Sequence, residues 1–326
     1  MLRFACLRSA LLFLIVSANV LAQTSQVSSF PDRPVRIVVP FGPGGLADIT
    51  FRLVAEKLTG LLGKPVLVEN LPGAGGIAAA NSVLRSKPDG HALLVITNGT
   101  AISKTLFKDL TFDPMKDLAP VAFAAYFDLV VLAKGDSQYR SLGDLLAAAR
   151  SQPGKLNFGT INPGSTQNLS AELFRSTAGI EVSIVPFKTS PEAASALLSG
   201  QLDAVFESYT ATKALVDSGR LKALASTGGK RSGYLPAVPT AQEAGVANYD
   251  VTSWNALAAP AGTPPEVLAI LNRHMNAIVA MPEIRKRMLD LGMDAYAGTP
   301  EELRARFASD IAKWAAVIKQ AGIPVQ

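Results

Sequence analysis

Short apolar segments alternate with amphipathic segments along most of the chain, and this alternation limits the possible folds more than any other feature. Runs of four to six residues have the composition of buried strands at 35–40, 66–69, 92–97, 118–122, 129–133, 156–159, 182–186, 204–207, 223–226 and 253–258. Helices are predicted between and after them at 47–62, 77–85, 142–151, 166–177, 191–198, 210–216, 265–281, 282–291 and 301–320. Because strands joined through helices pair in parallel and are covered on both faces, the pattern predicts an α/β fold.

Two connections are candidates for crossings between domains, one at 123–128 and the other at 247–252. Both follow completed α/β units and precede strands that resume a sheet. We therefore expect one discontinuous lobe from 23–125 and 248–326 and a second lobe from 126–247, each with a mainly parallel sheet. Such an arrangement leaves a central cleft, and α/β proteins bind ligands in clefts at the carboxyl ends of their strands.

The first 22 residues have the pattern of a secretory signal peptide. Arg3 and Arg8 precede the apolar run 10–16, small residues follow at 20–22, and no acidic residue occurs before Asp32. The apolar run is too short for a permanent membrane span. A retained anchor is the alternative, but we expect cleavage of 1–22 and export to the periplasm, without lipid attachment because no cysteine follows.

The cysteine and histidine content argues against several kinds of site. Cys6 is the only cysteine and lies in the predicted leader, so we expect no disulfide, thiolate metal site or cysteine nucleophile. His91 and His274 are the only histidines and stand far apart, so nothing local indicates a zinc site or a Ser–His pair. We expect no metal, no cofactor and no enzymatic activity. The net charge of +5, without a basic run, argues against nucleic acid and suits an anionic solute.

The segment 35–48 joins an apolar strand, a glycine-rich turn and a helix start. Free backbone N–H groups and the positive end of the helix dipole make such a unit an anion site. A pattern G-x-G-x-x-A beginning at Gly42 also matches a dinucleotide fingerprint, with Glu69 where a ribose-binding acid belongs. Export, together with the N–H that Pro43 lacks, argues against a nicotinamide cofactor. A tight turn without a ligand is the other alternative.

A second strand–turn–helix unit occurs at 158–168. Ser165 or Thr166 would cap its helix and offer hydroxyl and N–H groups to a carboxylate. For this loop alone, an ordinary helix cap is the alternative. One such loop in each predicted lobe indicates a ligand held between two facing helix N-termini by neutral donors.

Several separated motifs occur in order along the chain. They are PDRPVRIVVPFGPGG at 31–45 with Asp48, VENLPGAGG at 68–76, KPDGH at 87–91, LPAVPTAQEAG at 235–245, SW at 253–254 and APAGTP at 259–264. This set resembles the Bug family, the periplasmic solute-binding receptors of tripartite tricarboxylate transporters. The resemblance covers nearly all of the chain that follows the leader.

The resemblance implies a two-lobed periplasmic binding protein, a Venus flytrap, that closes on a small carboxylated solute and presents it to membrane permease subunits. It implies ligand contacts from Phe41, Gly44, Gly45, Leu46 and Asp48 in the first lobe and from Gly164, Ser165 and Thr166 in the second. A turn of Thr97, Asn98 and Gly99 is expected to form another wall. We expect a monomer. A sensory receptor of the same fold is the alternative, and an exported NAD-type oxidoreductase is less favoured.

Some positions depart from the family pattern. Asn168 stands where members commonly have histidine, Glu207 where they commonly have aspartate, and Asn255-Ala256 where Phe-Gly often follows the tryptophan. We expect Asn168 and Glu207 to line the cleft and to influence the choice of solute. Glu207 either accepts from an amino or amide group or is a solvated acid at a strand end. Asp48 either contacts the ligand or its water, or favours the helix start through the dipole.

Overall fold

The computed structural model describes residues 30–326, so the predicted leader at 1–22 lies outside the described residues. Its strands are Val35–Val39 (β1), Val66–Asn70 (β2), Ala92–Thr97 (β3), Leu118–Lys134 (β4), Asn157–Ile161 (β5), Ser183–Phe187 (β6), Ala204–Ser208 (β7), Leu221–Ser226 (β8), Thr252–Pro260 (β9) and Asp294–Ala295 (β10). Its helices are Leu46–Leu62 (α1), Ile77–Leu84 (α2), Asn98–Leu106 (α3), Leu142–Ser151 (α4), Thr166–Ala178 (α5), Ser190–Leu198 (α6), Tyr209–Asp217 (α7), Pro265–Ala280 (α8), Pro282–Asp290 (α9) and Pro300–Ala321 (α10). Most predicted elements occur within two residues of their expected bounds, which confirms the α/β fold.

The strands form a mixed sheet in the order β2-β1-β3-β9-β4-β7-β5-β6, and β8 and β10 also pair with β4. In one half, β1 pairs in parallel with β2 and β3. In the other half, β5 pairs in parallel with β6 and β7. Every described antiparallel pair involves β4 or β9. Two sets of parallel strands are therefore joined through β4, which belongs to both.

Helices cover both faces of the strands. Ile37 of β1 belongs to one apolar cluster with Phe51 of α1 and Leu271 of α8. Its neighbour Val38 belongs to a different cluster, which includes Trp314 of α10. Because successive side chains of a strand point to opposite faces, burial on both faces requires apolar residues at every position. This explains the continuous apolar runs in the sequence.

One long strand replaces the two strands that were predicted at 118–122 and 129–133. Residues 118–128 of β4 pair with β9, and residues 129–134 pair with β7 and β8. The segment 123–128, predicted to be a connection, is therefore extended strand. Asp128, at the end of this segment, is only 7 % exposed although it is polar. The pairing partner of β4 changes between Asp128 and Leu129.

Helix α3 follows β3 directly and was not predicted. Thr97 caps it: the Thr97 hydroxyl accepts from the Gly99 N–H at 3.1 Å, and Thr100 Oγ1 accepts from the Thr97 N–H at 3.2 Å. The expected turn at Thr97, Asn98 and Gly99 is thus wrong, since these residues form the cap and first turn of a helix. The segment is rich in Asn, Gly, Thr and Ser, which have low helix propensity, so the cap and the buried side chains of α3 stabilise it.

The C-terminal helix α10 packs against α3 and β4 and also against α5. Asp310 of α10 accepts a hydrogen bond from Trp254 Nε1 of β9 at 2.6 Å. The connection before β9 is tied to α5, because the hydroxyl groups of Tyr249 and Ser170 lie 2.6 Å apart. These contacts hold the two halves together behind β4 and β9. Among residues 30–326, no helix combines the length and apolarity that crossing a bilayer requires.

Candidate functional site

Four helices begin where parallel strands end. β1 leads through a short loop into α1 and β5 leads through a similar loop into α5, whereas β3 and β7 run directly into α3 and α7. The first N–H groups of a helix lack intrahelical partners and lie at the positive end of its dipole. Gly45 caps α1 without a side-chain hydrogen bond. The first turn of α1 therefore keeps donors with which it can bind an anion.

The loops before α1 and α5 share a left-handed glycine and the same internal hydrogen bond. Gly44 and Gly164 both have left-handed backbones, with φ of 80° and 77°. The Gly44 N–H donates to Asp48 Oδ2 at 2.8 Å, and the Gly164 N–H donates to Asn168 Oδ1 at 3.0 Å. In both loops a proline precedes the glycine, and Asp or Asn follows it by four positions. This recurrence is a second sequence signal for the pair, beside the strand–turn–helix pattern that predicted it.

Asp48 is 2 % exposed, and its carboxylate accepts hydrogen bonds from other groups of the protein. Besides the Gly44 N–H, Arg52 Nε donates to it at 3.0 Å and Asn70 Nδ2 at 2.9 Å. Asn70 Nδ2 also donates to the Phe41 carbonyl at 3.0 Å. Burial raises the pKa of Asp48, but the hydrogen bonds from Arg52, Gly44 and Asn70 outweigh it and hold the pKa below its ordinary value. These contacts indicate that Asp48 shapes the loop 41–48.

Ser165 is similarly engaged within the second loop. Its hydroxyl donates to the Ile161 carbonyl at 2.6 Å and accepts from the Asn168 N–H at 3.1 Å. Its own N–H donates to the Asn162 carbonyl at 3.0 Å. Ser165 is thus the cap that the sequence predicted, and its hydroxyl hydrogen is already used. The N–H groups of the first turn, beginning at Thr166, are the donors that this loop can offer to a ligand.

The second loop also touches the first half of the molecule. A Cβ atom added to Gly164 would lie 2.3 Å from Leu106 Cδ2, at the end of α3. Only glycine fits this position, because it combines a left-handed backbone with a close approach. The contact places the α5 loop directly beside α3, the helix that follows β3.

Three buried polar side chains at these strand ends have unused hydrogen-bonding atoms. Asn98, in the first turn of α3, is 1 % exposed, and neither of its amide atoms has a partner among the described residues. Nδ2 of Asn255, which lies opposite Thr97, has no partner there either. Glu207 is 1 % exposed, so its interpretation as a solvated acid is wrong, and its Oε2 has no described partner. Buried polar groups are nearly always paired, which makes these three candidates for ligand or water contact.

The structure gives less support to a dinucleotide site, a histidine-based site or a metal site. Glu69, the candidate ribose-binding acid, forms an ion pair with Arg36 at 2.8 Å. His91 lies 3.0 Å from both Asp32 and Asp89. In the part of the chain that the structure describes, no three His, Cys, Asp or Glu side chains are grouped so as to hold a metal ion.

The predicted site residues all lie at the carboxyl ends of four strands. The residues that follow β1 are Phe41, Gly44, Gly45, Leu46 and Asp48, whereas Thr97 ends β3 and Asn98 begins α3. Gly164, Ser165, Thr166 and Asn168 follow β5, and Glu207 is near the end of β7. Arg52, Asn70 and Gln167 were not among the predicted site residues, and Asn255 was noted only as a departure from the family pattern. Asn70 ends β2 beside β1, and this neighbouring position was the available signal for it.

Comparisons with known proteins agree with this architecture. The family described as "Tripartite tricarboxylate transporter family receptor" matches residues 50–323. Protein BugT of Bordetella pertussis is 33% identical over 310 residues, which cover 94% of this chain and 95% of BugT. R. palustris Rpa4515 with adipate is similar at a TM-score of 0.79 and 32% identity, covering 90% of this chain and 99% of that one. MatC (Rpa3494) from Rhodopseudomonas palustris with bound malate has a TM-score of 0.75 and 32% identity, covering 89% of this chain and 100% of that one.

The similarity extends over the whole described chain, in sequence and in three dimensions. It confirms the predicted two-lobed binding-protein fold and the resemblance carried by the separated motifs. The chain therefore belongs to the Bug family, the solute-binding receptors of tripartite tricarboxylate transporters.

Proposed function

We propose that this receptor binds a small solute through a carboxylate, between the loop before α1 and the loop before α5, and delivers it unchanged to a membrane permease. The observation that carries the proposal is the equivalence of the two loops. Each has a left-handed glycine whose N–H is held by a side chain four positions later, and each leads into a helix N-terminus. Two such termini supply neutral donors to an anion without the desolvation cost of a buried cation.

The ligand contacts follow from which donors are already used. In the first loop, no side chain caps the start of α1, so the N–H groups at Gly45 and Leu46 are not used by a side-chain cap. The side chain of Phe41 is 43% exposed. In the second loop, the amides of Thr166 and Gln167 are available once Ser165 has capped the helix. Asp48 and Asn168 act by holding these loops in shape. Rpa4515 and MatC, which were solved with adipate and malate, support a carboxylate as the solute.

Binding closes the lobes, because a solute that contacts both loops has its highest affinity for the closed state. We place the lobes at 23–125 with 248–326 and at 126–247, so that β4 and the segment before β9 cross between them. Cleavage of 1–22 exports the chain to the periplasm, where it acts as a monomer and docks on the permease. No chemical step is required of any residue.

A thermal-shift panel of mono-, di- and tricarboxylates, amino acids and aromatic acids tests the proposal. A cognate carboxylate at 100 times its Kd should stabilise the protein by about 2.7 kcal/mol. Combined Ser165→Ala and Asp48→Ala substitutions should weaken that solute's binding at least about tenfold in calorimetry while the protein stays folded. Stabilisation by dinucleotides instead of carboxylates, or unchanged affinity in the double variant, would contradict the proposal.

A further inference from the structure

Glu207 is a buried carboxylate whose described hydrogen bonds come only from neutral groups. Gln167 Nε2 donates to Oε1 at 2.9 Å, and the Ser208 N–H donates to the same oxygen at 2.7 Å. The second oxygen, Oε2, has no hydrogen-bond partner within residues 30–326. The side chain is 1 % exposed, so bulk water does not provide the missing contacts.

The position of Glu207 puts its carboxylate beside the proposed binding site. Glu207 is the penultimate residue of β7, and the next residue, Ser208, caps α7. Its other partner, Gln167, belongs to the first turn of α5, directly after the loop that contains Gly164. The carboxylate therefore lies between the N-termini of α5 and α7, at the edge of the second lobe that carries the binding loop.

The buried acid of the first lobe has a cationic partner, and the buried acid of the second lobe has none among the described residues. Asp48 has Arg52 within 3.0 Å, whereas Glu207 has an amide and a backbone N–H. The helix N-termini offset part of the cost of burying Glu207. As a carboxylate, Glu207 has only acceptor atoms, and its free oxygen accepts a hydrogen bond. The complementary ligand group is a donor, and a second carboxylate at this position would be repelled.

We infer that Glu207 Oε2 accepts a hydrogen bond from an ammonium or hydroxyl group of the solute. The receptor's solute is then an amino acid or a hydroxy acid, and a plain dicarboxylate binds more weakly. This inference rests on the proposed function, because it adds one contact to the carboxylate site described above. It assigns Glu207 the role of a specificity-determining residue.

Calorimetry on the chain without 1–22, using solutes of matched carbon skeleton, tests the inference. The sets are succinate, malate and aspartate; glutarate and glutamate; and adipate and 2-aminoadipate. In at least one set, the donor-bearing member should bind roughly 10- to 100-fold more tightly than the plain diacid. Aspartate against malate distinguishes ammonium from hydroxyl.

Glu207→Gln removes the charge and keeps the size of the side chain. We expect the preference for the donor-bearing solute to fall to within about threefold, and the affinity for the plain diacid to rise. The exposed Glu181→Gln, with the same chemical change, should alter neither quantity.

The outcomes separate the two proposals. If plain diacids bind as tightly as their donor-bearing partners, or if Glu207→Gln leaves the preference unchanged, the role of Glu207 is overturned and the carboxylate site stands. If no carboxylate of any kind binds, the proposed function fails and the inference fails with it. The ranking of solutes by the unsubstituted chain decides the matter even if Glu207→Gln does not fold.

Discussion

Asp128 lies at the point where β4 passes from one half of the molecule to the other. It pairs with Thr252 of β9, and the next residue pairs with β7. Burial raises the pKa of Asp128 to about 7, although a hydrogen bond from Thr252 lowers it. The nearby carboxylates of Asp250 and Asp294 raise this pKa further, and Arg306 opposes them. The protonated form is therefore the one that the folded chain prefers.

This preference predicts a pH dependence of stability. The folded pKa of about 7 exceeds the ordinary value of 3.8, so the favourable contribution of Asp128 is complete below about pH 4 and is lost as the pH rises to 7. Asp128→Asn should raise the free energy of unfolding at pH 8 by on the order of 2–4 kcal/mol and change it little at pH 4. Urea unfolding at both pH values measures this. Asp136→Asn, at an exposed side chain, serves as the control, and equal gains at both pH values would exclude the mechanism.

Gly164 and Gly154 form a matched pair for testing the contact between α3 and the α5 loop. Both have left-handed backbones, with φ of 77° and 73°, but only at Gly164 would a Cβ meet another atom, Leu106 Cδ2. Alanine should cost about 1 kcal/mol of backbone strain at either position and a further ~1–3 kcal/mol of overlap at Gly164 alone. Gly164→Ala should also weaken carboxylate binding.

Chemical denaturation and calorimetry of the two variants measure these effects. In a double-mutant cycle, Gly164→Ala should cost less in the Leu106→Ala background than in the unsubstituted chain, because Leu106→Ala removes the atom that the new Cβ meets. Equal destabilisation by Gly154→Ala and Gly164→Ala would show that the close approach has no energetic consequence.

At the scale of elements, local signals explain which parts of the fold could be predicted. Helices α1 and α5 begin within one residue of their predicted starts, because a Pro-Gly turn and a cap precede each of them. Helix α3 could not be predicted, since its sequence has low propensity and its stability comes from packing against α10. β4 was predicted as two strands, because the continuity of 123–128 depends on pairing with β9, which is far away in the chain.

The same distinction applies to the candidate site. The loop residues Gly44 and Ser165 could be predicted from local turn and cap chemistry. The hydrogen bond from Asn70 to Asp48 depends on the pairing of β1 with β2, so the sequence of one strand alone did not reveal it. Glu207 is hydrogen-bonded to Gln167 of α5, which is distant in sequence. The sequence therefore could not decide whether Glu207 is a buried acceptor or a solvated acid.

At the scale of the whole molecule, two similar halves share one strand and one helix. Each half places a strand–loop–helix unit and a strand that runs directly into a helix at the same edge. β4 runs through both halves, and α10 packs against α3 in one and α5 in the other. β4 and the segment before β9 connect the halves, and each loop follows a strand of its own half. This organisation suits a clamp, which needs two rigid jaws and a small number of connections.

Hydrogen exchange of the whole chain tests the clamp directly. A solute that contacts both loops should slow amide exchange in 41–48 and in 161–168 together, because closure buries both sets of helix N-terminal amides. Exchange should be compared with and without a saturating concentration of the carboxylate that gives the largest thermal shift. Helix α4, at 142–151, provides an internal control, because its cap and first turn are hydrogen-bonded within 140–145 and not to either loop. Protection confined to one loop would mean that the solute binds one lobe only, and that closure does not accompany binding.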